Sequence, residues 1–258
     1  MDDGIRDAIE TTGKVLKAAP ELYEDGLKPA VSESGKTIAL IPQAINAALV
    51  PFRIWIAKQE NKYDEVVKLL NKKLEKIDVD NIVTPEEYVV VPALQSLQYS
   101  MNSGELKDLY ANLIAKSMNV DTKDKVHPTF VEIIKQMSPI DAVVFKIICQ
   151  TPYKPLINLK ALKEDGNFGD YINNISWINI YSYEQVAISI DNLLRLGLIE
   201  IFYDKHYYDD GVYELVRKAH HYIEQRALLD NKGKVVEEKK TITIPKLAWL
   251  FYRICVKE

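Results

Sequence analysis

The feature that most constrains this chain is a run of helix-start signals between residues 84 and 141. Thr84-Pro85-Glu86-Glu87, Asn102-Ser103-Gly104-Glu105, His127-Pro128 and Ser138-Pro139-Ile140-Asp141 each set a capping side chain, a proline or both ahead of an apolar periodic segment. Thr84 is expected to cap, with Pro85 in the first helical position and Glu87 completing a capping box, and Pro92 is expected to kink or break that helix. After Gly104, Leu106, Leu109, Tyr110, Leu113, Ile114 and Met118 recur at helical spacing. VDTKDKV reads as a loop, after which Phe130, Ile133, Ile134 and Met137, then Val144, Phe145, Ile148 and Cys149, make two more inward faces. Pro92 to Ile148 is thereby predicted as successive short amphipathic helices that pack on one another.

Upstream, Ile5, Ile9, Thr12 and Leu16 share a helical face with acidic residues in the first turn, and Pro20 follows. The stretch from Glu21 to Gly35 reads as a connection or short helices. Thr37 to Ala57 (TIALIPQAINAALVPFRIWIA) is the most apolar window and carries Arg53 as its only formal charge. About 20 apolar residues suffice to span a bilayer, so a membrane-inserting segment and a buried helix or helical hairpin both fit. Pro42 and Pro51, with Gln43 and Asn46 near the centre, favour burial. Residues 60–77 place Tyr63, Val66, Val67, Leu70, Leu74 and Ile77 on one stripe opposite mixed Glu and Lys, the pattern of a helix packed on its own domain.

The character changes at Thr151. TPYKPLINLKALKEDGNFGDY holds two prolines and two glycines and is expected to be a domain boundary, separating a helical domain (1–150) from a C-terminal α+β domain (151–258). Ser182 caps a helix, Gln185 completes its box, and Gly197 ends it. LIEIFY is predicted as a strand, 212–227 as a helix, NKGK at 231–234 as a turn and KTITI (240–244) as a second strand, and Pro245 opens a last helix. The expected fold class is mainly α: an N-terminal helical bundle followed by a C-terminal α+β winged-helix-like module. A DNA-reading helix needs an outward basic face. The helix at 183–196 carries Glu184, Asp191 and Arg195, and in the wing region Asp230, Glu237 and Glu238 offset most of Lys232, Lys234, Lys239 and Lys240. Use as a structural or protein-binding module is the favoured reading over nucleic-acid binding.

No GxxxxGK[ST], GxGxxG, GxSxG or HExxH motif occurs. His127 reads as a capping or packing residue. His220 and His221 are adjacent on a predicted helix, about 100° apart, and cannot share a ligand face. His206 lies among Asp204, Asp209 and Asp210, where a solvated acidic loop is favoured over a metal or acid–base site. Cys149 and Cys255 sit in apolar runs without CxxC spacing, which fits small buried hydrophobes in a reducing compartment. The acidic start MDDGIRDAIE is unlike a secretory signal, and a cytoplasmic protein is expected, with membrane association through 37–57 as the variant. The net charge of −4 supplies no global attraction to nucleic acid or anionic lipid. No catalytic, cofactor-binding or metal-binding residue is assigned.

LYEDGLKPAVSESGK, PALQSLQYSMNSGELKDLYANLIAKSMN, HPTFVEIIKQMSPIDAVVFK, LLRLGLIEI and KTITIPKLAWLF together resemble the abortive infection alpha (Abi-alpha) family of bacterial proteins associated with phage resistance. The resemblance covers most of the chain from about residue 20 onward. It implies a defence context and brings no catalytic residue or cofactor. The expectation is a non-enzymatic anti-phage protein acting through a protein partner, self-association or membrane contact. The alternative is a winged-helix nucleic-acid-binding regulator, which the local charge disfavours.

Overall fold

In a computed structural model of the chain, residues 42–50, 62–75, 77–163, 167–202 and 204–257 are described. Residues 42–48 are helical, and α1 runs Lys62–Leu74, α2 Glu87–Ser100, α3 Gly104–Ser117, α4 Thr129–Lys135 and α5 Pro139–Gln150. A hairpin of β1 (Pro155–Leu162) and β2 (Phe168–Ile175) follows, then α6 (Tyr183–Arg195) and the two-residue β3 (Glu200–Ile201). The last elements are α7 (Glu214–Arg217), α8 (His220–Asp230), β4 (Lys234–Thr243), α9 (Lys246–Phe251) and a π-helical turn, Tyr252–Val256. Among the described residues the fold is mostly helical, with one small antiparallel sheet.

Most start signals act as their chemistry requires. The Ser103 hydroxyl accepts from the Leu106 N–H at 3.3 Å. His127 Nδ1 accepts from the Thr129 N–H at 3.2 Å, the capping role expected of it. Ser138 and Asp141 form a reciprocal capping box, with Asp141 Oδ2 accepting from the Ser138 N–H at 2.6 Å. Ser182 and Gln185 form a second box. Gly197, at φ 69°, closes α6 in a Schellman motif: Leu198 N–H donates to the Leu193 carbonyl and Gly197 N–H to that of Leu194.

Two expectations for α2 are corrected. The helix begins at Glu87 with Glu86 as its N-cap, not at Thr84-Pro85. Val83 N–H donates to the Met118 carbonyl at 2.8 Å and Ile82 bridges to Asn119, which holds the preceding chain extended. Of the kink or break expected at Pro92, the break does not occur: the helix continues to Ser100. Downstream of the proline, Ser96 and Ser100 hydroxyls donate back to the carbonyls four residues earlier.

The stretch read as an irregular boundary contains the centre of the sheet. The strand order is β2-β1-β4-β3. β1 pairs with β4 without a slip from Pro155↔Thr241 to Leu162↔Lys234. Pro155 is tolerated because it is the first residue of its strand. β1 is nearly buried throughout, so it reads as an apolar run rather than an alternating one, and the flanking prolines and glycines mask it. Among the described residues of LIEIFY, Glu200 and Ile201 pair, opposite Thr243 and Ile242. The strand expected at 240–244 is the end of a ten-residue strand that stops at Thr243, one residue short of Ile244. The helix expected at 212–227 is two pieces, α7 and α8, parted at Ala219, which is extended at ψ 139°. At the β4 turn, Gly233 has φ 147°, and a Cβ there would stand 2.2 Å from the Leu162 carbonyl oxygen.

Two clusters make the core. The larger runs from Ile45 and Leu49 through the helices to Leu156, Ile190, Phe251 and Cys255, so it continues across the change from helices to sheet at residues 150–155. Phe251 meets Phe130 edge-on at 5.4 Å between ring centres and Phe145 at 5.7 Å. The smaller cluster sets Ile157, Leu159, Ala161 and Ile175 of the sheet against Tyr213, Val216, Tyr222 and Leu229. Of the apolar window 37–57, residues 42–50 are described. Ile45, Ala48 and Leu49 there are buried in the main core. The rest of the window lies outside the described residues, as do the helix expected at 5–19 and the connection after it. Among the described residues no helix is long and apolar enough to cross a membrane.

Candidate functional site

The sheet brings polar side chains to both its faces. On the face that carries Ile157 and Leu159, β4 contributes Glu237 and Lys239, their register partners. α7 delivers Arg217 to the same place. Its guanidinium donates to Glu237 at 2.7–3.2 Å, to Asp210 at 3.0 and 3.1 Å and to Glu214 at 2.9 Å. Lys239 adds an ion pair to Asp210 at 2.5 Å. The Tyr222 hydroxyl donates to Glu237 and accepts from Arg226 at 2.8 Å. Hydrogen bonds from Arg217, and then Lys239, hold the Asp210 carboxyl down at about 2. Arg217 likewise lowers Glu237, outweighing the opposing effect of burial. Burial and the Glu237 carboxylate raise the Tyr222 phenol. A network this fully paired holds α7 and α8 on the sheet.

On the opposite face lies a second group. Asn158, buried in β1, donates to the Tyr171 hydroxyl at 2.5 Å and to Glu238 at 3.2 Å, and accepts from the Asn174 N–H at 2.9 Å. Asn174 sits at φ 57° and donates its amide to Asp191 of α6 at 2.6 Å. Lys160 and Lys240 stand 3.3 and 3.7 Å from Glu238. Burial would raise the Glu238 carboxyl, but hydrogen bonds from Asn158 and Lys160, with the Lys240 charge, outweigh it and hold the group below its usual value. Asp191, counted from the sequence among the charges that make α6 a poor phosphate-binding surface, is exposed and also ties α6 to the sheet.

A cleft of about 280 Å³ lies elsewhere, walled by the end of α1, the end of α3 and Lys257. Its lining includes Lys72, Lys73, Lys116 and Lys257, with Glu75 as the acidic member. Asn112 also lines it and donates its amide to the Cys255 carbonyl at 2.8 Å, which satisfies an acceptor of the terminal π-helical turn. Sequence reading missed this cleft, since its lysines lie far apart in the chain and each reads locally as a solvated cation near a helix end. It also missed the Arg217–Glu237 pair, which only the strand register reveals.

The other residues weighed as reactive groups are placed apart. His206 is exposed, Asp209 caps Gly211 N–H at 2.9 Å, and Asp210 belongs to the Arg217 network. His220 is exposed and 3.0 Å from Glu224, whereas His221 is buried with neither ring nitrogen hydrogen-bonded. Among the described residues no three His, Cys, Asp or Glu side chains are grouped to hold a metal. Both cysteines are buried and free; burial pushes the Cys149 thiol up to about 12 and raises that of Cys255 well above its ordinary value.

No curated protein and no solved structure matches the chain. The abortive infection alpha profile matches residues 58–255, from α1 through the sheet to the terminal turn. A match over that much of the sequence shows the family, and the chain belongs to the abortive infection alpha family.

Proposed function

We propose that the protein takes part in abortive infection, limiting phage propagation, and that it does so through protein contacts rather than by catalysing a reaction. The family match over residues 58–255 carries this reading. The non-catalytic part draws on what the reactive groups already do. Asp210, Glu237 and Glu238 are engaged in ion pairs, and both thiols are raised far from the thiolate form.

The contact surface we assign is the solvent-exposed side of α6. Ile188 and Leu194 there are 68% and 41% exposed, on a helix whose other apolar side chains are in the core. Glu184, Asp191 and Arg195 lie between them around the helix, so the surface is mixed rather than basic. Infection of cells expressing the protein tests the reading: lower phage yield, with host death after infection, is expected. Ile188→Asp combined with Leu194→Asp should abolish protection while the far-UV circular dichroism stays that of the native chain. Unchanged yield and host survival across a broad phage panel would overturn the defence role. Full protection by the folded double variant would overturn the contact surface.

A further inference from the structure

We propose that the lysine-lined cleft between α1, α3 and Lys257 binds a compact diphosphate-bearing small molecule. The inference stands apart from the defence reading, because it concerns binding by the purified chain.

The charge is local and runs against the global balance. The chain carries a net charge of −4, yet Lys72, Lys73, Lys116 and Lys257 line one cleft of about 280 Å³. Glu75 lines the same wall, and Asp108 reaches Lys73 at 3.5 Å. Neither carboxylate is within ion-pairing distance of Lys116 or Lys257. Lys72, Lys73 and Lys116 each lie in the last turn of a helix, where a cation complements the dipole. That accounts for each lysine singly, at roughly half a charge per helix end. It does not account for two helix ends and Lys257 sharing one cavity, where like charges repel.

Lysine ammonium groups act as point-charge partners for phosphate oxygens. The volume lies just below the range of small-molecule sites, about 300–1,000 Å³, which suits a diphosphate group better than an extended chain. Asn112 supplies a neutral wall: one amide hydrogen is held by the Cys255 carbonyl, and the amide carries a second. The shared chemistry is the diphosphate, free as pyrophosphate or attached to a nucleoside.

Isothermal titration calorimetry of the full chain at neutral pH and fixed ionic strength tests this with two probes, pyrophosphate and a nucleoside diphosphate. One-to-one binding of at least one is expected, weakening as salt rises, with a matching rise in Tm at saturating ligand. Tighter binding of the nucleotide would place the nucleoside inside the cleft, and equal binding would place only the phosphates there; either supports the site. Lys116→Gln with Lys257→Gln should weaken binding about tenfold or more. Lys146→Gln with Lys218→Gln, two exposed lysines elsewhere, should change it less than about twofold. Absence of heat and of any Tm rise from both probes on the unsubstituted chain would overturn the proposal, as would equal weakening by the two double variants. The first of these readouts does not depend on any variant folding.

Discussion

Asp141 is the test of how the helical segment is joined to the α+β segment. Its carboxylate accepts from the Ser138 N–H at 2.6 Å, closing the capping box of α5, and from the Asn192 amide of α6 at 2.9 Å. Asp141 is 3% exposed, so no water replaces either partner at the surface. Asp141→Ala keeps the Ser138 hydroxyl in its cap, so the lost capping bond is worth about 1 kcal/mol. The charge-assisted bond from Asn192 adds about 1.5 kcal/mol. A loss of about 2–3 kcal/mol is therefore expected, a large share of the roughly 5–15 kcal/mol that holds a typical domain together. Asn192 also donates to the Gln136 carbonyl at 3.0 Å and keeps that bond in the variant. A double-mutant cycle of Asp141→Ala and Asn192→Ala should thus show a coupling of about 1 kcal/mol rather than the full value of the bond. Urea unfolding followed by both far-UV circular dichroism and tryptophan fluorescence gives the numbers, provided the two transitions coincide. Additivity within about 0.3 kcal/mol would refute the reasoning, since it would mean that Asp141 acts on α5 alone.

Three further outcomes are expected. Phe251→Ala removes a fully buried ring that contacts Phe130 and Phe145 and should cost about 3–5 kcal/mol in the same unfolding assay. Gly233→Ala should lower Tm measurably, by about 1–3 kcal/mol in stability, because its Cβ would meet the Leu162 carbonyl oxygen and its φ suits only glycine. Acid titration should show stability from Asp210 and Glu237 fully present above about pH 5, where both are ionised even unfolded, and lost as pH falls toward the depressed folded value of about 2 for Asp210. Their folded pKa values lie below the unfolded ones, so the loss is on the acid side, and Arg217→Ala should flatten it.

What could be read from the sequence was chemistry that acts over a few residues. Ser103, His127, Ser138, Ser182 and Gly197 cap or close helices within one turn of themselves, so their identity and spacing suffice. The inward faces of α3, α4 and α5 follow from helical periodicity for the same reason. The family was also legible, since its likeness lies in contiguous segments.

The tertiary structure decided the rest. Leu156 to Ala161 became a central strand because β2 and β4 pair with it from either side, a partnership that the run of apolar residues does not announce. α2 starts late because Val83 is held by Met118, 35 positions on. The break at Ala219 exists where α7 and α8 both lie against the sheet. The Arg217 network, the Asn158 group and the lysine cleft are each assembled from distant positions. Local spacing fixes most helix starts, because capping and periodicity are short-range forces, and the start of α2 is the exception that a distant contact sets. Pairing register and the convergence of charge are set only when separate elements pack, and both the sheet and the candidate site depend on them.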